Sequence, residues 1–233
     1  MKYGEAPTVV DSICIPDCEL MFTLYMPVRL AGQTAVTIPR YVDGYAPLVE
    51  AALDYEGANA DGKFVYLTVK RLWVEPGCLG GRLGWHTDGF GTDDVSYIWA
   101  DADPTEFCVQ PFTLSDNHEI SMRQMEEQAR PENIVQYEPI DLIRLDARHV
   151  HRCPVNPKAG YRTFARVSIS SDRYDMIGNA HNFDLDYNWI MHPRGAVRND
   201  VSSRAQGMAA RSGETGTGST EGNSPVRQDA PDA

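Results

Sequence analysis

Tyr161-Arg-Thr-Phe-Ala-Arg-Val-Ser-Ile-Ser170 is the stretch on which the fold turns. Its β-branched and aromatic residues at period two predict a strand. The alternation puts Arg162, Phe164, Arg166 and Ser168 on one face, and Thr163, Ala165, Val167 and Ile169 on the other. A strand face with two guanidinium groups is costly to bury unless they meet anions.

Working outward, Phe64–Val74 (FVYLTVKRLWV) reads as a second strand. Val95–Ala100, Phe107–Thr113 and Pro139–Leu145 read as further strands. Pro47–Tyr55 predicts a short helix, with Pro at its start and Gly57 just past its end. His118–Ala129 predicts a polar helix, preceded by N-cap candidates at Ser115-Asp116-Asn117 and closed by Pro131. Many short strands with peripheral helices point to a mainly-β sandwich or jelly roll, cupin-like rather than βαβ. Residues 1–200 are expected to form that single domain, with helical elements near the N-terminus. Residues 201–233, rich in Ser, Gly, Thr, Ala and Asp and without aromatics, are expected to be a disordered tail.

The chain has 233 residues, 42% of them hydrophobic, which suffices for one full core. No apolar run approaches the roughly 18 residues that span a bilayer, and the N-terminus has no basic-then-apolar leader pattern. No membrane association is expected. The five cysteines, Cys14, Cys18, Cys78, Cys108 and Cys153, are odd in number and scattered, which argues against a disulfide framework and for a reducing, cytoplasmic setting. Nothing nearby completes a zinc site around Cys14 and Cys18. The net charge of −12 makes nucleic acid an unexpected partner. There is no phosphate-binding Gly-rich loop and no nucleophile elbow.

The chemistry is concentrated in two patches. In Gly84-Trp-His-Thr-Asp88, His86 and Asp88 stand two apart, so an extended chain aims both the same way. Such a pair arises easily by chance. The second patch, Asp146-Ala-Arg-His-Val-His-Arg-Cys-Pro-Val155, offers His149 and His151, again on one side. Two histidines and one carboxylate leave three positions open on an octahedral ion, the facial arrangement suited to non-haem Fe(II). Arg166, with Ser168 two residues on, offers a planar fork and a hydroxyl for a carboxylate.

Together these residues resemble the iron(II)/2-oxoglutarate-dependent oxygenase superfamily, whose outline is His-x-Asp, a distal His, then Arg, often as Arg-x-Ser. Here Asp88 to His151 spans 151 − 88 = 63 positions and His151 to Arg166 spans 166 − 151 = 15. The resemblance covers about residues 64–170. It implies a double-stranded β-helix, Fe(II) held by His86, Asp88 and His151, 2-oxoglutarate held by Arg166 and Ser168, and O2 as the oxidant. It further implies hydroxylation of a small-molecule or side-chain substrate, with release of succinate and CO2. Two alternatives stay open: His149 in place of His151 as third ligand, and Arg162 in place of Arg166 as clamp, with Arg162 otherwise reaching the substrate. A rival is a cupin-type metal enzyme or metal-binding module that does not use 2-oxoglutarate.

Three features bear on the substrate. The segment Arg144–Arg173 holds seven basic residues against two acids, a net of +5, and suggests an anion-attracting mouth. Trp85, Phe90, Tyr97 and Trp99 are candidates to line a pocket or to fill a core. Asn179, His181 and Asn182 lie in an amide- and aromatic-rich stretch expected to form a substrate-contacting rim.

Overall fold

A computed structural model describes residues 2–76, 81–82, 84–154 and 158–194. The strands are β1 (Thr8–Ser12), β2 (Met21–Arg29), β3 (Phe64–Val74), β4 (Val95–Ala100), β5 (Glu106–Cys108), β6 (Ile134–Gln136), β7 (Asp141–Asp146), β8 (His151–Arg152) and β9 (Gly160–Ser170). The helices are α1 (Ala46–Glu56) and α2 (His118–Gln128). A large sheet runs β1-β7-β4-β9-β3-β2 and a small one β6-β5-β8. Every strand pair is antiparallel, so the molecule is mainly β with few helices.

β9 is central in the large sheet. It pairs without a register shift along all of β3, from Phe64 opposite Ser170 to Val74 opposite Gly160. Its other edge pairs with β4. The alternation in its sequence becomes a division of labour between faces. Ala165, Val167 and Ile169 join Val65, Leu67, Val69, Tyr97, Trp99 and Leu142 in the main core, which α1 covers with Leu48, Val49 and Ala52. The opposite face presents Ile98, Ile143 and Leu145 to Phe107 of the small sheet, with Phe164 and Tyr137 beside them. A third cluster, containing Trp85, Phe90, Cys108 and Val150, packs with Met125 of α2.

Where the sequence signals were long, the elements match. Pro47 lies in the first turn of α1, and the chain leaves it at Gly57 with φ +52°, a conformation glycine adopts without a Cβ penalty. Asn117 caps α2 by accepting from the Ile120 amide at 3.1 Å. Other features differ. Two strands, β1 and β2, precede the helical stretch at the N-terminal end. The strand expected over Phe107–Thr113 stops at Cys108, where its partner β6 begins at Ile134; a single further bond, from the Val109 amide to the Asn133 carbonyl at 2.9 Å, follows. β6 and β8 have three and two residues, too few to show a period.

Cys14, Cys18, Cys108 and Cys153 are free thiols, and Cys18 contacts the Tyr45 hydroxyl at 2.8 Å. Cys78 and the expected tail lie outside the described residues. Among the described residues no helix is long and apolar enough to cross a membrane.

Candidate metal centre

His86 lies between β3 and β4, and His151 opens β8. Two reciprocal backbone hydrogen bonds fix them to each other: the His86 amide donates to the His151 carbonyl at 2.9 Å, and the His151 amide to the His86 carbonyl at 2.8 Å. The imidazole centroids stand 4.5 Å apart. Just beyond, the chain turns at Gly89, whose φ is +66°. A Cβ there would come within 2.8 Å of Thr92 Oγ1, so the position requires glycine for both conformation and space. The Thr92 hydroxyl ties the turn by donating to the Gly89 carbonyl at 2.8 Å. Asp88 stands at the head of this turn, two residues after His86.

His86, Asp88 and His151 each offer one ligand atom, and the three atoms lie within 4.8 Å of one another. His151 Nε2 is 3.7 Å from Asp88 Oδ2. Each Nδ1–H donates to a backbone carbonyl at 3.0 Å, His86 to Gly84 and His151 to His149. That assignment leaves each Nε2 as the lone pair for an ion, and the carbonyls orient the rings. Burial, reinforced by the neighbouring His151, lowers the His86 pKa to about 3. Burial likewise lowers that of His151. Both rings are therefore neutral at neutral pH, the form that binds metal. Burial alone would raise the Asp88 carboxyl, but Arg166, His151 and His86 together hold it well below the usual range. Two neutral imidazoles and one ionised carboxylate suit a divalent ion and leave positions open to other ligands.

Arg166 projects from the inward face of β9, in a cross-strand row with Thr68 and Ile98. Its Nη1 donates to Asp88 Oδ2 at 2.7 Å and its Nη2 to the Tyr25 hydroxyl. The guanidinium also lies over the Tyr25 ring, 4.6 Å from the centroid. Burial would lower the Arg166 pKa, but Tyr25 and Asp88 outweigh it and hold the group charged. The guanidinium thus sits directly on the acid of the trio, nearer than the length of a small diacid.

The other expected residues divide. His149 is buried, and its Nδ1 lies 3.0 Å from Asp146 Oδ1, away from the trio. Ser168 shares the inward face but lies 3.4 Å from Ser96 Oγ, across on β4. Arg162 is buried, with its Nε donating to the carbonyls of Ala102 and Asp103 at 3.0 Å each. Tyr97 and Trp99 are core residues on the far face of the large sheet, and Trp85 and Phe90 are buried in the α2 cluster.

Of the seven residues of the expected basic mouth, four meet acids: Arg144 pairs with Glu56 and Asp146, Arg148 with Asp146 and Glu5, Arg152 with Glu106 and Arg166 with Asp88. The expected rim is also partly structural. The buried Asn182 amide donates to the carbonyls of Pro27 and Thr37, and Asn179 donates to that of Tyr174. His181 instead lines an open groove of about 530 Å³ with Tyr41, Phe183 and Arg40.

Sequence reasoning missed Tyr25. It lies where the pairing of β2 with β3 slips between Thr23 and Met26, with φ +47°. A bulge that turns one ring inward leaves no mark in a hydrophobic pattern.

No family model matches the chain, and no curated protein matches it. Among solved structures, an oxidoreductase of the 2OG-Fe(II) oxygenase family from Burkholderia pseudomallei aligns with 64% of this chain and 65% of its own, under two thirds of its length, at 16% identity and a TM-score of 0.36. A likeness at that level carries no weight for fold or function.

Proposed function

We propose that the chain is a non-haem iron(II)- and 2-oxoglutarate-dependent oxygenase, with iron held by His86, Asp88 and His151. One observation carries the reading. Two imidazole nitrogens and one carboxylate oxygen, from segments over 60 residues apart, converge in a buried cleft beside an inward-facing arginine. Fold order supports it. In chain sequence β3, the His86 segment, β4, β5, β6, β7, β8 and β9 run large, small, large, small, small, large, small, large, the His86 segment joining the small sheet through its bridge to His151. A chain that winds so between two antiparallel sheets is what a double-stranded β-helix requires.

Bound Fe(II) with 2-oxoglutarate would supply the oxidising chemistry, releasing succinate and CO2 as an organic substrate is hydroxylated. The chain's own part is orientation and exclusion. Gly84 and His149 carbonyls hold the ligand rings, and Gly89 sets the angle of Asp88. Arg166, with Tyr25 and Ser168 on the same side, binds the far carboxylate of the co-substrate. Ile98, Phe107 and Phe164 keep the inter-sheet space apolar, which strengthens the charged contacts made within it. Arg162 and Lys70 share the inward face and face the substrate end.

The test is anaerobic titration of the Fe(II)-loaded protein with 2-oxoglutarate, followed by absorbance and thermal unfolding. Chelation by the keto acid produces a visible charge-transfer band and raises the unfolding midpoint. His86→Ala abolishes both responses, and Arg166→Met weakens 2-oxoglutarate far more than iron. A wild-type protein that takes up Fe(II) but shows neither band nor protection supports the cupin-type alternative.

A further inference from the structure

Asp88 Oδ2 faces two claims. It lies 3.7 Å from His151 Nε2, on the side where an ion would sit, and 2.7 Å from Arg166 Nη1. In this largely enclosed cleft one negative charge balances one guanidinium. A divalent ion on the same carboxylate draws that charge to itself, and Arg166 is then a mostly enclosed cation with a weakened counter-charge. Such a cation is unfavourable until another anion reaches it. The guanidinium is held for that anion. Tyr25 accepts from its second nitrogen and lies beneath its plane. Tyr25 itself keeps a left-handed backbone (φ +47°), secured by its amide donating to Thr68 Oγ1 at 2.9 Å. A non-glycine residue held there is strained, and such strain clusters where a ligand is clamped. Arg166 Nε is buried with no hydrogen-bond partner among the described residues.

We propose that the Asp88–Arg166 ion pair couples the metal site to a carboxylate site, so that a divalent ion on His86, Asp88 and His151 opens Arg166 and Tyr25 to a carboxylate ligand. This rests on the metal reading above, but not on chelation by a keto acid, since the coupling runs through Asp88. Linkage makes it reciprocal: the carboxylate tightens the metal by the factor the metal tightens the carboxylate.

Glutarate is the probe, because it has the two carboxylates of the co-substrate without the keto oxygen needed to chelate. Calorimetric titration of the wild-type protein is run with and without Mn(II). Glutarate is expected to bind at least ~10-fold more tightly with Mn(II), within the roughly 5- to 150-fold span of such couplings, and glutarate is expected to tighten Mn(II) equally. Asp88→Asn, free of metal, is expected to bind glutarate about as tightly as the Mn(II)-loaded wild type, and a second change, Arg166→Met, to remove that gain. Equal affinity with and without Mn(II) overturns the proposal. So does a Mn(II) effect in the wild type that metal-free Asp88→Asn fails to reproduce, since glutarate then binds the ion directly. If Asp88→Asn does not fold, the reciprocal wild-type titrations, repeated with Arg166→Met, decide. A protein that does not bind Mn(II), or binds it independently of His86, fails the metal reading instead; His86-dependent Mn(II) binding with indifferent glutarate fails only the coupling.

Discussion

The two faces of β9 obey opposite rules. Toward α1, Ala165, Val167 and Ile169 are almost fully excluded from water and pack in the main apolar cluster. Toward the small sheet, Ser168 and Arg162 are also buried and Arg166 keeps 14% side-chain exposure, and their polar atoms meet named partners except Arg162 Nη2 and Arg166 Nε. Burial is therefore not what separates core from site here. The first face holds the fold by non-directional packing, where volume matters. The second works by direction and charge balance, where removing one group exposes another.

The comparison can be broken at several points. The largest effect is expected from His86→Ala, which deletes a ligand: Mn(II) affinity should fall beyond the roughly 100-fold seen for outer-sphere partners. The fold, followed by circular dichroism, should persist. Retained affinity would show that the inward face holds no metal. Next comes Leu67→Ala on the helix-facing side, expected to cost about 2–5 kcal/mol in denaturant unfolding by leaving a cavity. Mn(II) affinity should stay near wild type, and a matching loss would mean that the faces are not independent.

A smaller effect concerns pH. His86 has a folded pKa near 3, below that of the unfolded chain, because burial disfavours its charge. Its contribution to stability is fully present above about pH 6.5, the ordinary histidine value, and is lost as pH falls below that, where the unfolded chain binds the proton first. The metal-free protein should lose thermal stability from pH 7 to pH 4, and His86→Gln should lose less over that range. Identical slopes would place the imidazole in water. The smallest change is expected from Ser168→Ala, which removes one neutral hydroxyl. It should weaken glutarate only a few-fold, in line with about 0.5–1.5 kcal/mol for a hydrogen bond of this kind.

Much of this was legible because it is local. The alternation over Tyr161–Ser170 gives both faces of β9, and the spacing of His86 and Asp88 puts them on one side of the chain. The proline and glycine around α1 and the cap of α2 work in the same way. The short strands β6 and β8 were not legible, because two or three residues carry no period and the neighbouring strand decides their conformation. The excess of basic residues over Arg144–Arg173 did not show that four of them, Arg144, Arg148, Arg152 and Arg166, meet acids, because those acids lie far along the chain or turn back locally.

The sequence by itself determined the strand periods, the helix ends and the inventory of donors, since these depend on backbone sterics and on residues a few positions apart. Only the tertiary structure decided that His151, and not His149, stands with His86 and Asp88. It alone set Arg166 on Asp88, across 78 positions, and Tyr25 beneath it. Side-chain convergence across two sheets follows from strand register and one bulge, long-range quantities that no local pattern encodes.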